Sequence, residues 1–449
     1  MAIHYQKNII FKKMIEILFS KKSFLKEEPY KSENFEKIIK KFAHSNSNST
    51  LVTTNNLINI CDQISFNWSS DESKIKKIMI ENDLNFLITW LKKSNIKKIL
   101  KINFNDYNVL DRYIKIDNQN IIAHPKGVIV HWLAGNVPVL AIISLFQGLL
   151  TKNINIIKAP ENMKIIITQL LNNISKMKFK ISNKIIYGKK IMESVLVVYV
   201  KKDDLVAQKI LSKVADVRVA WGGKSAIDAI ISLPKKFYCD DIILGPRTSL
   251  SIVSKESLKN SKKKAELVQK IARDVFAFNQ MGCNSPHNLY LENGVKTNHL
   301  EFIKLLKVAF EIESLRHKNK PSSLKTFEIL SGRVIYSTTK NKDVYFDKKN
   351  NWNIFYDRKQ FKASEPLYGN TLFVKSIDNI NSIPKNFPEN VQTIGVSMSK
   401  KKFLEFSNLA LKNKALRFVN IGNMTFYNHP WDGFLPMTRM VNWVSFPKW

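Results

Sequence analysis

An α/β protein built on parallel sheet with helices on both faces is the fold class that this 449-residue sequence predicts. Three observations predict it. From about residue 121, short β-branched runs alternate with amphipathic segments of helix length, the pattern of strand–helix–strand crossovers. Hydrophobic residues make up 44% and charged residues 24%, so a sizeable core can be buried. The length allows about three average domains or two large ones.

The first hundred residues read as mainly helical. Residues 35–42 and 75–100 carry the signal, with Ile80, Leu84, Leu87, Ile88 and Leu91 at helical spacing. The polar run 44–50 (HSNSNST) reads as a loop. Residues 1–22 mix Lys among apolar residues and lack the continuous apolar region of a signal peptide. Residues 127–132 (GVIVHW) predict a strand and 137–150 a helix. Their joint length could span a bilayer, but His131, Asn136, Pro138, Ser144 and Gln147 interrupt it, so two buried elements meeting at a turn are expected instead.

Further strands are expected at 153–158, 195–200, 217–221, 250–253 and 288–292, and helices at 164–176, 204–214, 225–232 and 262–279. In the last helix Leu267, Val268, Ile271, Val275 and Phe278 make the apolar face. Asn293-Gly294 is a turn signal. The expected division is a helical region over 1–100, domains over 101–245 and 246–430, and a tail over 431–449. Parallel sheets of this kind place ligands at the carboxyl ends of their strands.

The formal charge of +34 invites a nucleic-acid or membrane reading. Only nine of the 71 basic residues are Arg, and lysine pairs such as Lys12-Lys13, Lys92-Lys93, Lys235-Lys236 and Lys348-Lys349 are spread along the chain. That distribution fits compositional drift and a solvated surface better than a selected patch. Cys61, Cys239 and Cys283 are too few and too scattered for a disulfide framework or a zinc site, and a reducing compartment is expected.

Four loops carry residues suited to chemistry. In 133–138 (LAGNVP), Asn136 suits the cap of the following helix or an amide N–H aimed at a developing oxyanion. In 157–161 (IKAPE), Lys158 and Glu161 suit a ribose or phosphate, and a Pro-Glu helix start explains them as well. In 220–225 (AWGGKS), Gly222 and Gly223 allow a ligand to approach a helix N-terminus, where free N–H groups favour anions, or make a plain tight turn. In 276–286 (FAFNQMGCNSP), Cys283 lies in a loop between helix and strand. Gly282 before it permits an unusual backbone and close substrate approach. The sulfur is then either a nucleophile or a packing atom.

In this order and spacing the four loops resemble the aldehyde dehydrogenase superfamily and, within it, the long-chain acyl reductase family of bacterial luminescence operons. The resemblance runs from about Ile121 to Pro286 and resumes more faintly at Trp431-Asp432-Gly433 and Arg439-Met440-Val441. It implies a Rossmann-like NADP-binding domain followed by an α/β catalytic domain. Cys283 would be the acyl-accepting nucleophile, and Asn136 with the Cys283 N–H the oxyanion hole. Lys158 and Glu161 would meet the adenosine ribose or its 2′-phosphate, and Gly222 and Gly223 would lie beneath the pyrophosphate.

One departure bears on the reaction. Oxidising and hydrolytic members carry a glutamate opening a Glu-Leu-Gly-Gly-Lys motif; here the similar stretch is Ile243-Leu244-Gly245-Pro246-Arg247. Isoleucine cannot accept a proton, and loss of a general base costs about 10²–10⁴-fold. The S-acyl enzyme is then expected to persist until it is reduced, unless Asp240, Asp241 or another carboxylate substitutes. The resemblance therefore implies attack of Cys283 on an acyl thioester, reduction of the S-acyl group at the expense of NADPH, and release of aldehyde. His287 is a candidate base, while His124 and His131 read as structural. The implied partners are an acyl-CoA or acyl-carrier substrate and an acyl-protein synthetase, with self-association through sheet edges as in the superfamily. No specific nucleic acid is implied, and the expected location is cytoplasmic. The alternatives are aldehyde oxidation with NAD(P)⁺ on the same fold, or a basic binding protein without catalysis.

Overall fold

The computed structural model describes residues 15–21, 32–45, 52–70, 74–294, 299–317, 323–358 and 362–447. The chain divides into two compact units, Met1–Gly245 with Leu435–Trp449, and Pro246–Phe434. The expected absence of a signal peptide over 1–14, most of the 44–50 loop, and residues 295–298 after the Asn293-Gly294 turn fall outside the described residues.

The first unit holds the strands β1 (Ile15–Phe19), β2 (Val128–Trp132), β3 (Ile154–Lys158), β4 (Val195–Val200), β5 (Val217–Trp221) and β6 (Asp240–Leu244). They form one sheet in the order β1-β4-β3-β2-β5-β6. Every neighbouring pair is parallel except β1 with β4. β2 and β5 are buried at every position, the continuous apolar reading of a strand covered on both faces. The chain steps from β2 to β3 to β4 in one direction, then returns to lay β5 on the other side of β2. That reversal is the topological switch point where open α/β sheets bind ligands, at the carboxyl ends of the strands.

Two polar residues interrupt those apolar strands, and each is satisfied. The His131 ring nitrogens lie 2.7 Å from Ser144 Oγ and 3.1 Å from Asn155 Oδ1. Arg218, fully buried, forks the Asp241 carboxylate at 2.6 and 2.8 Å and donates to Ser212 Oγ and to the carbonyls of Ile230 and Leu233. A separate three-stranded antiparallel sheet pairs Gln119–Pro125 with Val441–Pro447 on one edge and Ile114–Ile116 on the other.

The second unit contains β7 (Thr248–Val253), β8 (Pro286–Glu292), β9 (Lys342–Phe346), β10 (Asn353–Asp357), β11 (Thr371–Ile377), β12 (Val391–Ser397) and β13 (Arg417–Asn420). The order is β9-β10-β11-β8-β7-β12-β13, parallel except for β9. Alternate residues of β7 and β8 serve opposite faces. Val253, Leu289 and Leu291 pack with the helix Ser261–Phe276, whereas Leu250, Ile252 and Tyr290 pack with Phe406 and Ala410 of the helix Lys400–Lys412. Removal of such side chains from water supplies about 1.5–3 kcal/mol each.

Two expectations in the N-terminal region differ from the elements that form, and the helix expected to run to 279 ends at Phe276, which leaves Phe278 off its apolar face. The N-terminal region is helical over Ser32–Ala43, Thr54–Ser69 and Lys93–Phe104, but Ile15–Phe19 is a strand, paired Ile15 to Val200. Its partner lies far along the chain, so local periodicity carries no trace of the pairing. The single helical run over 75–100 is three helices, Lys74–Glu81, Phe86–Trp90 and Lys93–Phe104. Asp83 turns left-handed (φ 54°) and Leu84 N–H bonds the Met79 carbonyl at 2.7 Å, the closing bond of a Schellman end. Among the described residues no helix is long and apolar enough to cross a membrane.

Burial holds His131 down to about 4, opposed by its bond to Asn155. Since the unfolded chain takes up this proton near 6.5 and the folded chain refuses it, stability falls as pH drops from about 6.5 towards 4, by about 1.4 kcal/mol per pH unit for this site. Denaturant unfolding across that range is expected to give a His131→Gln variant a slope shallower by about that amount; equal slopes contradict it.

Candidate active site

In the first unit, three of the four predicted loops leave the carboxyl ends of β2, β3 and β5. Residues 133–138 follow β2 and lead into the helix Val139–Leu150. Asn136 is exposed, but it does not cap that helix as expected: Pro138 holds the N-cap position and no side chain caps it. Proline fits there because it forfeits no helical N–H. Gly135 is small for a local reason. A Cβ on it would lie 2.7 Å from Asn162 Oδ1, and Asn162 donates to the Gly135 carbonyl at 2.7 Å. Asn162, from the turn after β3, thus clamps the backbone immediately before Asn136.

Lys158 ends β3 half-buried, and burial lowers the pKa of its ammonium. Glu161 begins the next short turn. Its carboxylate meets Lys164 Nζ at 3.1 Å and accepts the Tyr199 hydroxyl, while Lys164 also meets Glu16 and sits 3.7 Å over the Tyr199 ring. Gly222 and Gly223 follow β5, and Gly223 is the N-cap of the helix Lys224–Ile231, with no side chain capping it. A Cβ added to Gly223 would meet nothing within 4 Å, and one on Gly222 only the Ala226 Cβ. The uncapped N–H groups, the open space over Gly223 and the half-buried ammonium fit a phosphate-bearing dinucleotide.

Asp240 and Asp241, considered as substitutes for the missing glutamate, are both held in ion pairs. Arg439 and Lys126 hold Asp240, and Arg218 and Lys235 hold Asp241. These partners keep both carboxyls below the usual carboxylate range against the opposing effect of burial. Neither is suited to take a proton near neutral pH.

Cys283 belongs to the second unit. The helix Ser261–Phe276 ends, and Phe278, Asn279 and Gln280 then adopt left-handed backbone with φ of 52°, 54° and 59°. Each costs a non-glycine residue about 1–2 kcal/mol. The fully buried Gln280 side chain holds the turn: Nε2 donates to the carbonyls of Pro286 (3.0 Å) and Thr371 (2.8 Å), and Oε1 accepts from Thr371 N–H at 2.8 Å. The unusual backbone expected at Gly282 is therefore displaced to 278–280. Gly282 lacks a side chain because a Cβ would sit 2.6 Å from Asn284 Oδ1.

Beyond that turn Cys283 remains partly exposed, while Cys61 and Cys239 are buried. Ser249 Oγ donates to its carbonyl at 2.7 Å. Packing around the sulfur and then the Asp432 carboxylate push the thiol up to about 12; the Gln392 amide and the Arg417 guanidinium oppose this. A carboxylate whose charge reaches the thiol was not expected from the sequence. His287 is buried in β8, edge-on to Tyr368 at 5.1 Å, and burial lowers it to about 4. Among the described residues no cluster suits a metal ion. Sequence reasoning missed Asn162, Gln280, Gln392 and Arg417. Only Asp432 had a signal, as part of the faint Trp431-Asp432-Gly433 stretch.

A family model described as acyl-CoA reductase (LuxC) matches residues 50–443. The long-chain acyl-protein thioester reductase of Photorhabdus luminescens is 24% identical over 433 residues, covering 91% of this chain and 85% of that one. Its namesake from Vibrio harveyi is 25% identical over 422 residues, covering 87% and 82%. Among solved structures, a lactaldehyde dehydrogenase superposes with a TM-score of 0.63 at 14% identity, covering 93% and 91% of the two chains. The acetylating aldehyde dehydrogenase from Geobacillus thermoglucosidasius gives 0.60 at 12% identity, covering 93% and 97%. These likenesses establish an aldehyde dehydrogenase fold. With the family match spanning most of its length, the chain belongs to the acyl-CoA reductase (LuxC) family.

Proposed function

We propose that the chain reduces an activated long-chain fatty acyl group to the aldehyde with NADPH, through an S-acyl intermediate on Cys283. One observation supports this most. Of the three cysteines, only Cys283 is not buried, and it lies just beyond a left-handed turn that a buried amide holds in place. The names of the relatives point to a thioester donor, carried by a protein or by coenzyme A.

The Cys283 sulfur attacks the thioester carbonyl, the bond to the donor sulfur breaks, and the donor thiol leaves with the proton. Asn136 is the proposed donor to the carbonyl oxygen as negative charge grows there. Gly222, Gly223 and Lys158 are the proposed cradle for the dinucleotide phosphates, Glu161 reaches the adenosine ribose, and the ammonium of Lys158 favours a 2′-phosphate. When bound, NADPH would supply a hydride, two electrons with one hydrogen, to the acyl carbon; the C–S bond to Cys283 then breaks, the aldehyde leaves and the sulfur is regenerated. Activation of water at the same carbon is disfavoured because Ile243 replaces the usual carboxylate, Asp240 and Asp241 are tied up in ion pairs, and Asp432, the carboxylate whose charge reaches the thiol, is held by the Gln392 amide and faces Arg247. A cytoplasmic setting suits three cysteines with no disulfide among them.

Exposure to long-chain acyl-CoA without NADPH is expected to add one acyl mass to the peptide containing Cys283. Cys283→Ala is expected to abolish both this adduct and NADPH oxidation; a Cys283→Ala protein that still makes aldehyde overturns the reading. Asn136→Ala is expected to lower kcat by about 10²–10³-fold, with KM for the acyl donor little changed. An effect confined to KM would show that Asn136 binds substrate without stabilising charge.

A further inference from the structure

At the amino end of the first unit's sheet, the end opposite Gly222 and Gly223, the chain presents two aromatic rings to water. Phe237 is 90% exposed and Tyr238 89%, and the two rings meet edge to face with centroids 4.9 Å apart. They occupy the two corner positions of a tight turn, closed by the Cys239 N–H, which donates to the Lys236 carbonyl at 3.1 Å. Such positions favour Gly, Pro, Asn, Asp and Ser, so turn formation does not call for aromatic rings here. The turn is also firmly mounted. Lys235 Nζ donates to the Cys239 carbonyl at 3.1 Å and to Asp241 of β6 at 2.8 Å. Lys236 Nζ donates to the Val214 carbonyl at 2.8 Å and to Asp216, just before β5, at 2.6 Å.

Beside the turn lies an open cleft of about 540 Å³ between the helices Ser32–Ala43 and Leu205–Val214. Lys236 lines it together with Lys40 and Lys213, against the carboxylates of Glu36 and Asp216. Both carboxylates are already engaged, Glu36 by Lys40 at 2.7 Å and Asp216 by Lys236 at 2.6 Å. Three lysines against two carboxylates leave this rim positive.

We propose that this face of the first unit docks on an anionic lipid bilayer, with Phe237 and Tyr238 entering the interface and Lys40, Lys213 and Lys236 meeting lipid phosphates. Two rings on a turn tip cover far less than the roughly 800 Å² that each partner gives to a standard protein interface, whereas a fluid bilayer needs no matching surface. Aromatic rings settle at the boundary between headgroups and acyl chains, and lysine stems let the ammonium reach the phosphates. The even spread of lysine along the chain does not by itself mark a partner, but a formal charge of +34 repels a second copy and draws the chain to an anionic leaflet. The glycine loop after β5 lies at the other end of the sheet and stays open when the turn is docked.

The inference goes beyond the proposed reaction and does not depend on it. Full-length protein is mixed at low salt with vesicles of equal parts phosphatidylglycerol and phosphatidylcholine, and the fraction that sediments is measured against lipid concentration. The native chain is expected to bind, and to bind about tenfold or more weakly to pure phosphatidylcholine or at high salt. Phe237→Ser with Tyr238→Ser removes two rings that touch little else, and is expected to weaken binding to the anionic vesicles about tenfold or more. Phe237→Trp with Tyr238→Trp is expected to retain it. That pattern supports the proposal. A native chain that stays in solution, equal binding by the serine variant, or equal binding to phosphatidylcholine overturns it. So does a native dimer that the serine pair converts to monomer in sedimentation velocity, since a second copy would then cover the turn. Aldehyde formation is not read, so failure of the proposed reaction leaves this test intact.

Discussion

The unit that carries Cys283 depends on one buried amide. Gln280 makes three hydrogen bonds to the backbone of β8 and β11 and so fixes the left-handed run that turns a sixteen-residue helix into a strand. Each buried group left without its partner would cost about 1–3 kcal/mol, so the loop has no cheap alternative path. Thr371 opens β11, and Pro286 opens β8, next to the loop that carries Cys283. Phe276, the last helical residue, packs edge-on to Phe310 at 5.3 Å, which anchors the other side of the turn in the core. Cys283 thus sits on a loop whose two ends are both tied to sheet or core.

Around that loop the charges alternate. Cys283 feels Asp432, Asp432 feels Arg417 and Arg247, and Arg417 feels Asp274. Asp274 accepts the N–H groups of Gly422 at 2.6 Å and Met424 at 3.2 Å, yet burial pushes it up to about 7. Arg417 stacks at 5.1 Å over Trp431 and donates to the carbonyl of Phe426 at 2.6 Å, so its guanidinium is held by backbone and ring as well as by charge. The resting thiol is held in its neutral form by this packing.

Much of the fold was legible in the sequence because the relevant signals are local. The continuous apolar strands of the first unit, the helix lengths and the punctuation by Gly135, Pro138, Gly222 and Gly223 are all read within short windows, and three of the four loops leave the ends of adjacent strands of one sheet. The site was legible only in part. Cys283 stood out by rarity and by its loop, but the groups that govern it are joined across the chain. Gln280 reaches a residue 91 positions away, Gln392 one 40 positions away, and Asn284 one 140 positions away. No spacing rule links a lone glutamine to a distant carbonyl. The same reason hid β1, whose five residues show their purpose only beside Val197–Val200. Asn136 misled locally: a cap-forming residue before a proline predicts a cap, and the backbone clamp from Asn162 has no sequence signature.

The most direct test removes the latch and leaves the sulfur. In Gln280→Leu, with folding confirmed by circular dichroism, the rate of acyl transfer from a long-chain acyl-CoA to Cys283 is measured by intact mass in the absence of NADPH. If the buried amide positions the nucleophile, that rate is lower by about a hundredfold, the cost of a misplaced reacting atom. A folded Gln280→Leu protein acylated as fast as the native chain would contradict it.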